Sequence, residues 1–557
     1  MAFEETFDFV IVGSGAGSVC AALWLQTIGK SSVILEKTEK FGGSTSTSGG
    51  VIWAPNNMLM RREGVPDSQE KALTYFQSVV GDVGPASSPA RRRAFLSGVN
   101  EALEFLECQG MQFFRPEGYS DYYDDRPGGT SRGRTVMAKP YDLRKLGAWA
   151  ETPRRLAALP APMNIHEVGR LGMVKTTWAG KLVAMRVAGR VLVNKLTGRR
   201  WAGMGLALQS RLLRIALDHR LDIRLETPVG DLISEDGRVV GVALASGKRI
   251  GARDGVLINA GGFSHNAEMR AQWGPQPSSV QWTHANPGDT GEMIQAAMRL
   301  GAAVDLMDEA WWNTISVPPG VAGSRASHVA DISRPHAMMV DQSGRRFCNE
   351  SASYMEVGQK QYARHKAVPA VPAWMILDDR NRRSYPLYTA MPGQTPQAWI
   401  DAGYLKKADT LDELAGLCGI DPAVLRDTVE RFNGFARSGV DKDFHRGARE
   451  YDHFLGGDRS NKPNQNLGPI ETPPFYALQV YPGDVGTAGG VMTDECGRVL
   501  KADASPIPGL YATGNSTASV MGRSYPGAGA SIGAAIAFAW NAAHHAARRN
   551  QPASTAP

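Results

Sequence analysis

Residues 507–533, I-P-G-L-Y-A-T-G-N-S-T-A-S-V-M-G-R-S-Y-P-G-A-G-A-S-I-G, hold the densest set of groups able to do chemistry. Residues 509–514 read as a short buried strand that enters a glycine turn. The uncharged Ala/Gly-rich run 528–547 reads as a closely packed helix. Between them stand Tyr525, Pro526 and Gly527, followed by the first amides of that helix. Such amides have no intrahelical partner, so they can bind an anion or a polarised carbonyl. A tight connection without chemistry would look the same, and the other end of the chain decides between the two.

Phe7 to Val12 (F-D-F-V-I-V) is a short apolar strand, followed by Gly13-Ser14-Gly15-Ala16-Gly17-Ser18 and a helical pattern to Ile28. A second strand, Ser32 to Leu35, ends at Glu36. Strand, glycine turn, helix and an acid about twenty positions on form the βαβ dinucleotide fingerprint, in which that acid meets a ribose. Ser18 replaces the third glycine and is small enough for helix and strand to approach. Gly42-Gly43-Ser44-Thr45 and Ser48-Gly49-Gly50 supply further amides and hydroxyls suited to a pyrophosphate.

A polar aromatic cluster, Tyr119-Ser120-Asp121-Tyr122-Tyr123, is either a half-exposed loop or the wall of a pocket for a flat apolar ligand. Residues 141–200 carry twelve Lys/Arg against three acids, a surplus of nine that exceeds the +6 of the whole chain. Trp149, Met173, Trp178, Leu182, Met185, Val191 and Leu192 are interleaved with them. Such a segment can lie on an anionic bilayer surface or be a solvated basic excursion.

The elements that must position these groups come in several pieces. At 557 residues the chain exceeds one compact core, and 43% hydrophobic residues is ordinary for a globular protein. Helical patterns at 69–80 and 90–109 are followed, after the basic segment, by another at 206–217. A strand at 223–227, an antiparallel pair over 229–245 and a buried strand at 255–262 lead back to the nucleotide, and a helix ends near Leu300. Beyond about Asp308 a second domain is inserted, and Gly486-Thr487-Ala488-Gly489-Gly490 re-enters the first. The bounds are 1–310, 311–484 and 485–557. No stretch reads as a spanning helix. Acid at residues 1–5 and a short apolar run argue against a signal peptide. The five cysteines, without CxxC spacing, argue against disulfides or a metal site and fit a cytoplasmic setting. The charge is too mild to imply nucleic acid.

Four blocks together resemble the 3-ketosteroid Δ1-dehydrogenases within the fumarate reductase flavoprotein group. They are S-G-G-V-I-W-A-P-N-N, G-R-R-F-C-N-E-S-A-S-Y, G-T-A-G-G-V-M-T-D, and G-L-Y-A-T-G-N ending in S-Y-P-G-A-G-A. The resemblance spans nearly the whole chain. It implies an α/β fold: a discontinuous Rossmann-type FAD-binding domain with an inserted α+β catalytic (cap) domain. It implies FAD, held non-covalently because no histidine lies between Phe41 and Asn57. The FAD contacts it implies are Gly13, Ser14, Gly15, Ala16, Gly17, Glu36, Lys37, Gly43, Ser44, Thr45, Ser48, Gly49, Gly50, Val229, Gly261, Gly514, Asn515, Ser531 and Ile532.

The implied reaction removes hydrogen from carbons 1 and 2 of a 3-ketosteroid or sterol-derived 4-en-3-one. Tyr354 matches the base, and its phenol must then titrate below its ordinary value near 10 to serve at neutral pH. The Tyr525 hydroxyl and the Gly529 amide match the donors to the ketone oxygen. Tyr122 is the assisting tyrosine that the spacing favours, with Tyr119 and Tyr123 as alternatives. The implied partners are the steroid, an external electron acceptor such as a quinone, and a membrane surface at 141–200. That basic segment resembles the extra material of the longer, sterol-acting members. Rival readings are a fumarate-reductase-like enzyme, for which Arg334 and His336 precede the Gly344 block without a full dicarboxylate site around them, and a 5α-steroid Δ4-dehydrogenase. A membrane-docked flavin carrier would need neither Tyr354 nor Tyr525.

Overall fold

The structure, a computed structural model, describes residues 3–116, 118–155, 162–320 and 325–548. Residues 156–161 of the basic segment and the last nine residues lie outside the described ones.

The Glu5–Val12 strand is exposed at its start and wholly buried at its end, because it runs into the centre of a sheet. Its parallel neighbours are Arg249–Ile258 on one side and Ser32–Leu35 on the other. The sheet continues outward to Pro506–Ala512 and Arg498–Leu500 on one edge and to Asp222–Arg224 on the other. Strands buried on both faces need near-continuous apolar sequence, as F-V-I-V, V-I-L and V-L-I supply. The antiparallel pair Val229–Glu235 and Arg238–Leu244 hangs on the Arg249–Ile258 strand.

Helices Ala16–Thr27, Pro89–Cys108 and Ala530–Arg548 pack together beside this sheet, and small residues set their spacing. A Cβ on Gly17 would lie 2.4 Å from the Ala535 carbonyl oxygen, and one on Gly98 would lie 2.5 Å from Asn541 Oδ1. The uncharged alanines of the last helix are therefore core residues, and Trp540 and His544 pack against Trp24 at its end.

A second sheet is antiparallel throughout. Its order is Ala326–Ser327, Ala310–Ser316, Phe475–Thr487, Ala373–Asp378, Ala337–Val340, with Leu405–Ala408 also paired to the long Phe475–Thr487 strand. Helix Tyr354–His365 lies on it so closely that a Cβ on Gly358 would be 2.4 Å from Trp312 Cβ. The Gln361 amide, fully buried, donates to the carbonyls of Ala370 and Val480 and fixes the helix to the sheet. The Gly344 block ahead of it is an anchor. Arg346 pairs with Glu350 at 2.7 Å and with Asp441 at 2.9 Å, all three side chains nearly buried. Tyr354 thus begins a helix held at its sheet face and by the block before it.

A small third sheet, Val51–Trp53 with Thr135–Ala138 and Phe113–Phe114, completes the frame. It carries the turn before the last helix. The Trp53 N–H donates to the Gly529 carbonyl at 3.2 Å, and Thr135 Oγ1 donates to the Ala528 carbonyl at 3.3 Å.

Candidate active site

Gly13 follows directly on the first strand with φ +96°, and a Cβ there would lie 2.2 Å from the Asn259 carbonyl oxygen. Only glycine fits a left-handed position against another strand's backbone. The side chain of Asn259 turns the other way and donates to Ser18 Oγ at 2.8 Å, so the small residue in the third glycine's place ties helix to strand. Glu36 is buried; one carboxylate oxygen accepts from Ser14 Oγ at 2.6 Å and the other from the Thr38 N–H and hydroxyl. The oxygen that faces Ser14 keeps a lone pair for a ribose hydroxyl.

The second glycine segment closes over this turn. The Gly42 N–H donates to Ser14 Oγ at 2.8 Å, and Gly43 begins the short Gly43–Thr47 helix with φ +49°. Ser44 Oγ donates to Asp289 Oδ2 at 3.1 Å and accepts from the Asn286 N–H at 2.9 Å. The Thr45 carbonyl takes the Ser48 hydroxyl, which in turn accepts the Gly50 N–H. Gly49 abuts Ile165, and Gly50 abuts the Met204 backbone. Gly261 lies against the Asp289 carboxyl, whose burial pushes it up to about 7. Lys37 is held by Thr290 and Glu292. Gly514 faces the Asn259 side chain, and Asn515 Oδ1 accepts from Trp311 Nε1 at 3.0 Å. Ile532 is buried in the first turn of the last helix, while Val229 stands on the outer hairpin. A glycine cradle at a helix start, a second layer of hydroxyls and a buried carboxylate together fit a dinucleotide.

The tyrosines converge beside this cradle. Ring centroids of Tyr122 and Tyr354 are 5.5 Å apart, Tyr122 and Tyr525 5.5 Å, and Tyr354 and Tyr525 5.4 Å. Of the three alternatives in the cluster, Tyr122 is therefore the one that meets both. Tyr119 instead packs on Phe454, and Tyr123 faces Arg449. Two further aromatic rings join them: Tyr451 stands 4.3 Å from Tyr122, and Trp311 stands 5.1 Å from Tyr525. Nothing in the sequence around Tyr451 singles it out, because helix Glu450–Gly456 carries no motif.

The Tyr525 hydroxyl lies 3.2 Å from Ser531 Oγ, so Ser531 touches a tyrosine of the cluster. Among the described residues the Gly529 N–H donates to no protein acceptor. Gly527 and Gly529 let the turn touch the small sheet: Cβ atoms there would lie 2.3 Å from Trp53 Cδ1 and 2.1 Å from the Val51 carbonyl oxygen. Trp53 Nε1 donates to Asp121 at 2.9 Å, and Asp121 is paired with the buried Arg134.

One expectation about charge is not met. Burial, reinforced by the neighbouring Tyr122 and Tyr525 phenols, pushes Tyr354 well above the ordinary phenol range rather than below it. Burial likewise pushes the Tyr122 phenol well above its ordinary range, because desolvation penalises the charged form.

Arg334 and His336 do not join the cluster. Arg334 is buried against Asp331 and the Pro386 carbonyl, and His336 is bonded to the Pro469 carbonyl.

The FAD binding domain family matches residues 8–532. The chain is 42% identical to the 3-oxosteroid 1-dehydrogenase of Mycobacterium tuberculosis, over 98% of each chain. The chain belongs to the 3-oxosteroid 1-dehydrogenase family. Its cofactor is FAD, and the Gly13–Gly17 turn, Glu36 and the 42–50 segment are the residues whose geometry fits it. A crystal structure of 3-ketosteroid Δ1-dehydrogenase from Sterolibacterium denitrificans, in complex with 1,4-androstadiene-3,17-dione, has a TM-score of 0.92 and 36% identity. That likeness covers 98% of this chain and 100% of the other. The 4-oxocyclohex-2-ene-1-carboxylate 5-dehydrogenase of Sinomonas cyclohexanicum is 34% identical over 97% of this chain and 94% of its own.

Proposed function

We propose that this chain is an FAD-dependent 3-ketosteroid Δ1-dehydrogenase. The observation that carries the reading is the triangle of Tyr122, Tyr354 and Tyr525, reached from three separate parts of the chain. Carbon 2 of a 3-ketone is acidic only if the enolate that forms is stabilised. Tyr525 O–H and Gly529 N–H donate to the ketone oxygen, and each such donor contributes on the order of 3 kcal/mol. Tyr354 in its phenolate form accepts the carbon 2 proton and becomes the neutral phenol, and Tyr122 hydrogen-bonds to the Tyr354 oxygen. FAD, held without a covalent link, supplies the acceptor for the carbon 1 hydride when bound. The buried aromatic walls exclude water from the reacting atoms, and the electrons leave to an external acceptor such as a quinone.

The test is anaerobic mixing of the yellow protein with a 4-en-3-one steroid, with 4-oxocyclohexanecarboxylate and with succinate. The flavin absorbance should bleach with the steroid and yield the 1,4-dien-3-one. Bleaching by the small cyclic ketone alone would assign the chain to that chemistry, and bleaching by succinate alone would overturn both.

We infer also that the basic segment rests on an anionic membrane surface, from which a lipid-like substrate is taken. What supports this is helix Trp178–Thr197. It buries Gly180, Val183 and Val187 and leaves Trp178 77% and Leu196 76% exposed, with Leu182, Met185 and Leu192 between them at helical spacing. Lys181 folds over the Trp178 ring, and Arg186, Arg190 and Lys195 stand along the same helix. Among the described residues no helix is long and apolar enough to cross a membrane. Co-sedimentation with anionic vesicles that weakens as salt rises is the expected result, and equal binding by a protein trimmed of this helix would overturn it.

A further inference from the structure

The turn that carries Tyr525 is gripped by a residue outside the aromatic cluster. Tyr75 lies midway along helix Gln69–Val80 and is fully buried. Its hydroxyl donates to the Pro526 carbonyl at 2.6 Å and accepts the Tyr123 N–H at 3.2 Å. The same Pro526 carbonyl accepts the Tyr122 N–H at 3.0 Å. One phenol oxygen and one carbonyl therefore join the segment that carries Tyr122 to the segment that carries Tyr525.

The ring itself is held independently of that oxygen. It packs against Trp53 at 6.1 Å, with the Arg134 guanidinium 5.4 Å above it. Arg134 is fixed in turn by Asp67 and Asp121. A phenylalanine would fill the same space with the same neighbours. A buried hydroxyl adds nothing to packing and is costly unless bonded. Here both its donor and its acceptor capacity are used, and both bonds go to the two active-site segments. Burial also holds the Tyr75 phenol well above the ordinary range, so it stays a donor toward Pro526 at working pH.

We propose that Tyr75 is a positioning residue for the dehydrogenation: its hydroxyl fixes the backbone of Tyr122 against the Tyr525–Pro526 turn and so sets the spacing of the two phenols around Tyr354. This rests on the roles assigned above to Tyr122, Tyr354 and Tyr525. Without the hydroxyl, Pro526 keeps the Tyr122 N–H, so the fold survives, while the Tyr123 N–H loses its acceptor and the tyrosine segment is free to shift.

Tyr75→Phe, purified as the FAD-loaded enzyme, tests this beside Ser78→Ala, which removes a hydroxyl from the same helix that bonds only to Tyr75 and Pro127 carbonyls. Flavin content, Tm and the KM for a 4-en-3-one steroid should stay near those of the parent. The rate constant of flavin reduction should fall about ten- to a hundredfold, because misplacing reacting groups by about 1 Å costs up to about a hundredfold. Its pH profile should shift relative to the parent, and Ser78→Ala should change neither. A rate within about twofold of the parent overturns the proposal. So does a fall in rate that only tracks lost flavin or lost Tm with an unmoved pH profile, and so does a variant that no longer holds FAD, since each of these is a structural role. Tyr354→Phe run alongside separates the two levels. If it retains the parent rate, the assignment of the base fails; if it collapses while Tyr75→Phe does not, only the positioning proposal fails.

Discussion

Replacing Gly529 with alanine puts a methyl group where the fold leaves no room. The residue has φ +86°, and its Cβ would lie 2.1 Å from the Val51 carbonyl oxygen, 2.3 Å from Val51 C and 2.6 Å from the Ile52 nitrogen. Cβ atoms do not approach other heavy atoms within 3.0 Å, so the turn and the Val51–Trp53 strand must part by about 1 Å. The left-handed backbone adds roughly 1–2 kcal/mol of strain. All three obstructing atoms are backbone, so no side chain can swing aside to absorb the shift. What moves is the Gly529 N–H, with Tyr525 four residues before it. Losing one donor to the enolate costs on the order of 3 kcal/mol, a hundredfold or more in rate. The assay is stopped-flow reduction of the bound flavin by a 4-en-3-one steroid. Gly416→Ala serves as control, because a Cβ there meets nothing within 4 Å and the residue sits in helix Leu411–Cys418. The control should keep its rate and gain a little stability. A Gly529→Ala enzyme with normal flavin content and a rate within about fivefold of the parent would refute the argument.

Three further outcomes follow from the same geometry. Because burial raises the Tyr354 phenol, the phenolate fraction is small at neutral pH, and flavin reduction should accelerate with pH through the neutral range and beyond pH 8; a rate that levels off below pH 7 would contradict this. Asp289 is held up to about 7 by burial against an unfolded value near 4, so its ionised form costs the folded state stability that grows as pH rises from about 4 to about 7. Asp289→Asn should therefore raise the Tm of the FAD-loaded enzyme more at pH 8 than at pH 5, and the reverse order would show that the carboxylate is stabilised where it sits. Exchanging both exposed residues Trp178 and Leu196 for glutamate should weaken sedimentation with anionic vesicles at least tenfold while leaving turnover of a dissolved steroid unchanged; undiminished binding would remove that helix from the contact.

The nucleotide half of the site was legible because its chemistry is local. Gly13, Gly15 and Glu36 are held by a strand, a turn and a helix within some thirty residues, and periodicity is enough to see them. The sheet, too, could be read from buried runs such as V-L-I and V-I-L. Tyr122 could be narrowed only to a cluster, since the choice among Tyr119, Tyr122 and Tyr123 depends on which ring meets Tyr354 and Tyr525 across three segments. Tyr451 and Tyr75 left no local signal at all, for Tyr451 meets Tyr122 and Tyr75 grips Pro526 from the far end of the chain, and Tyr75's nearer bond to Tyr123 still spans 48 residues. The upward shift of Tyr354 was missed for a related reason: desolvation is a property of the assembled pocket, and no stretch of sequence states it. The alanine-rich last helix was readable as buried, but not that Gly17 and Gly98 set its distance from helices Ala16–Thr27 and Pro89–Cys108.

The central claim is that Tyr354 takes the carbon 2 proton while Tyr525 holds the ketone. Stopped-flow flavin reduction in Tyr354→Phe, with steroid binding measured separately by spectral perturbation of the flavin, tests it most directly. Retained flavin, steroid affinity within a few-fold of the parent and a reduction rate lowered by at least about a thousandfold are the expected results. A Tyr354→Phe enzyme that reduces its flavin within a few-fold of the parent would contradict it.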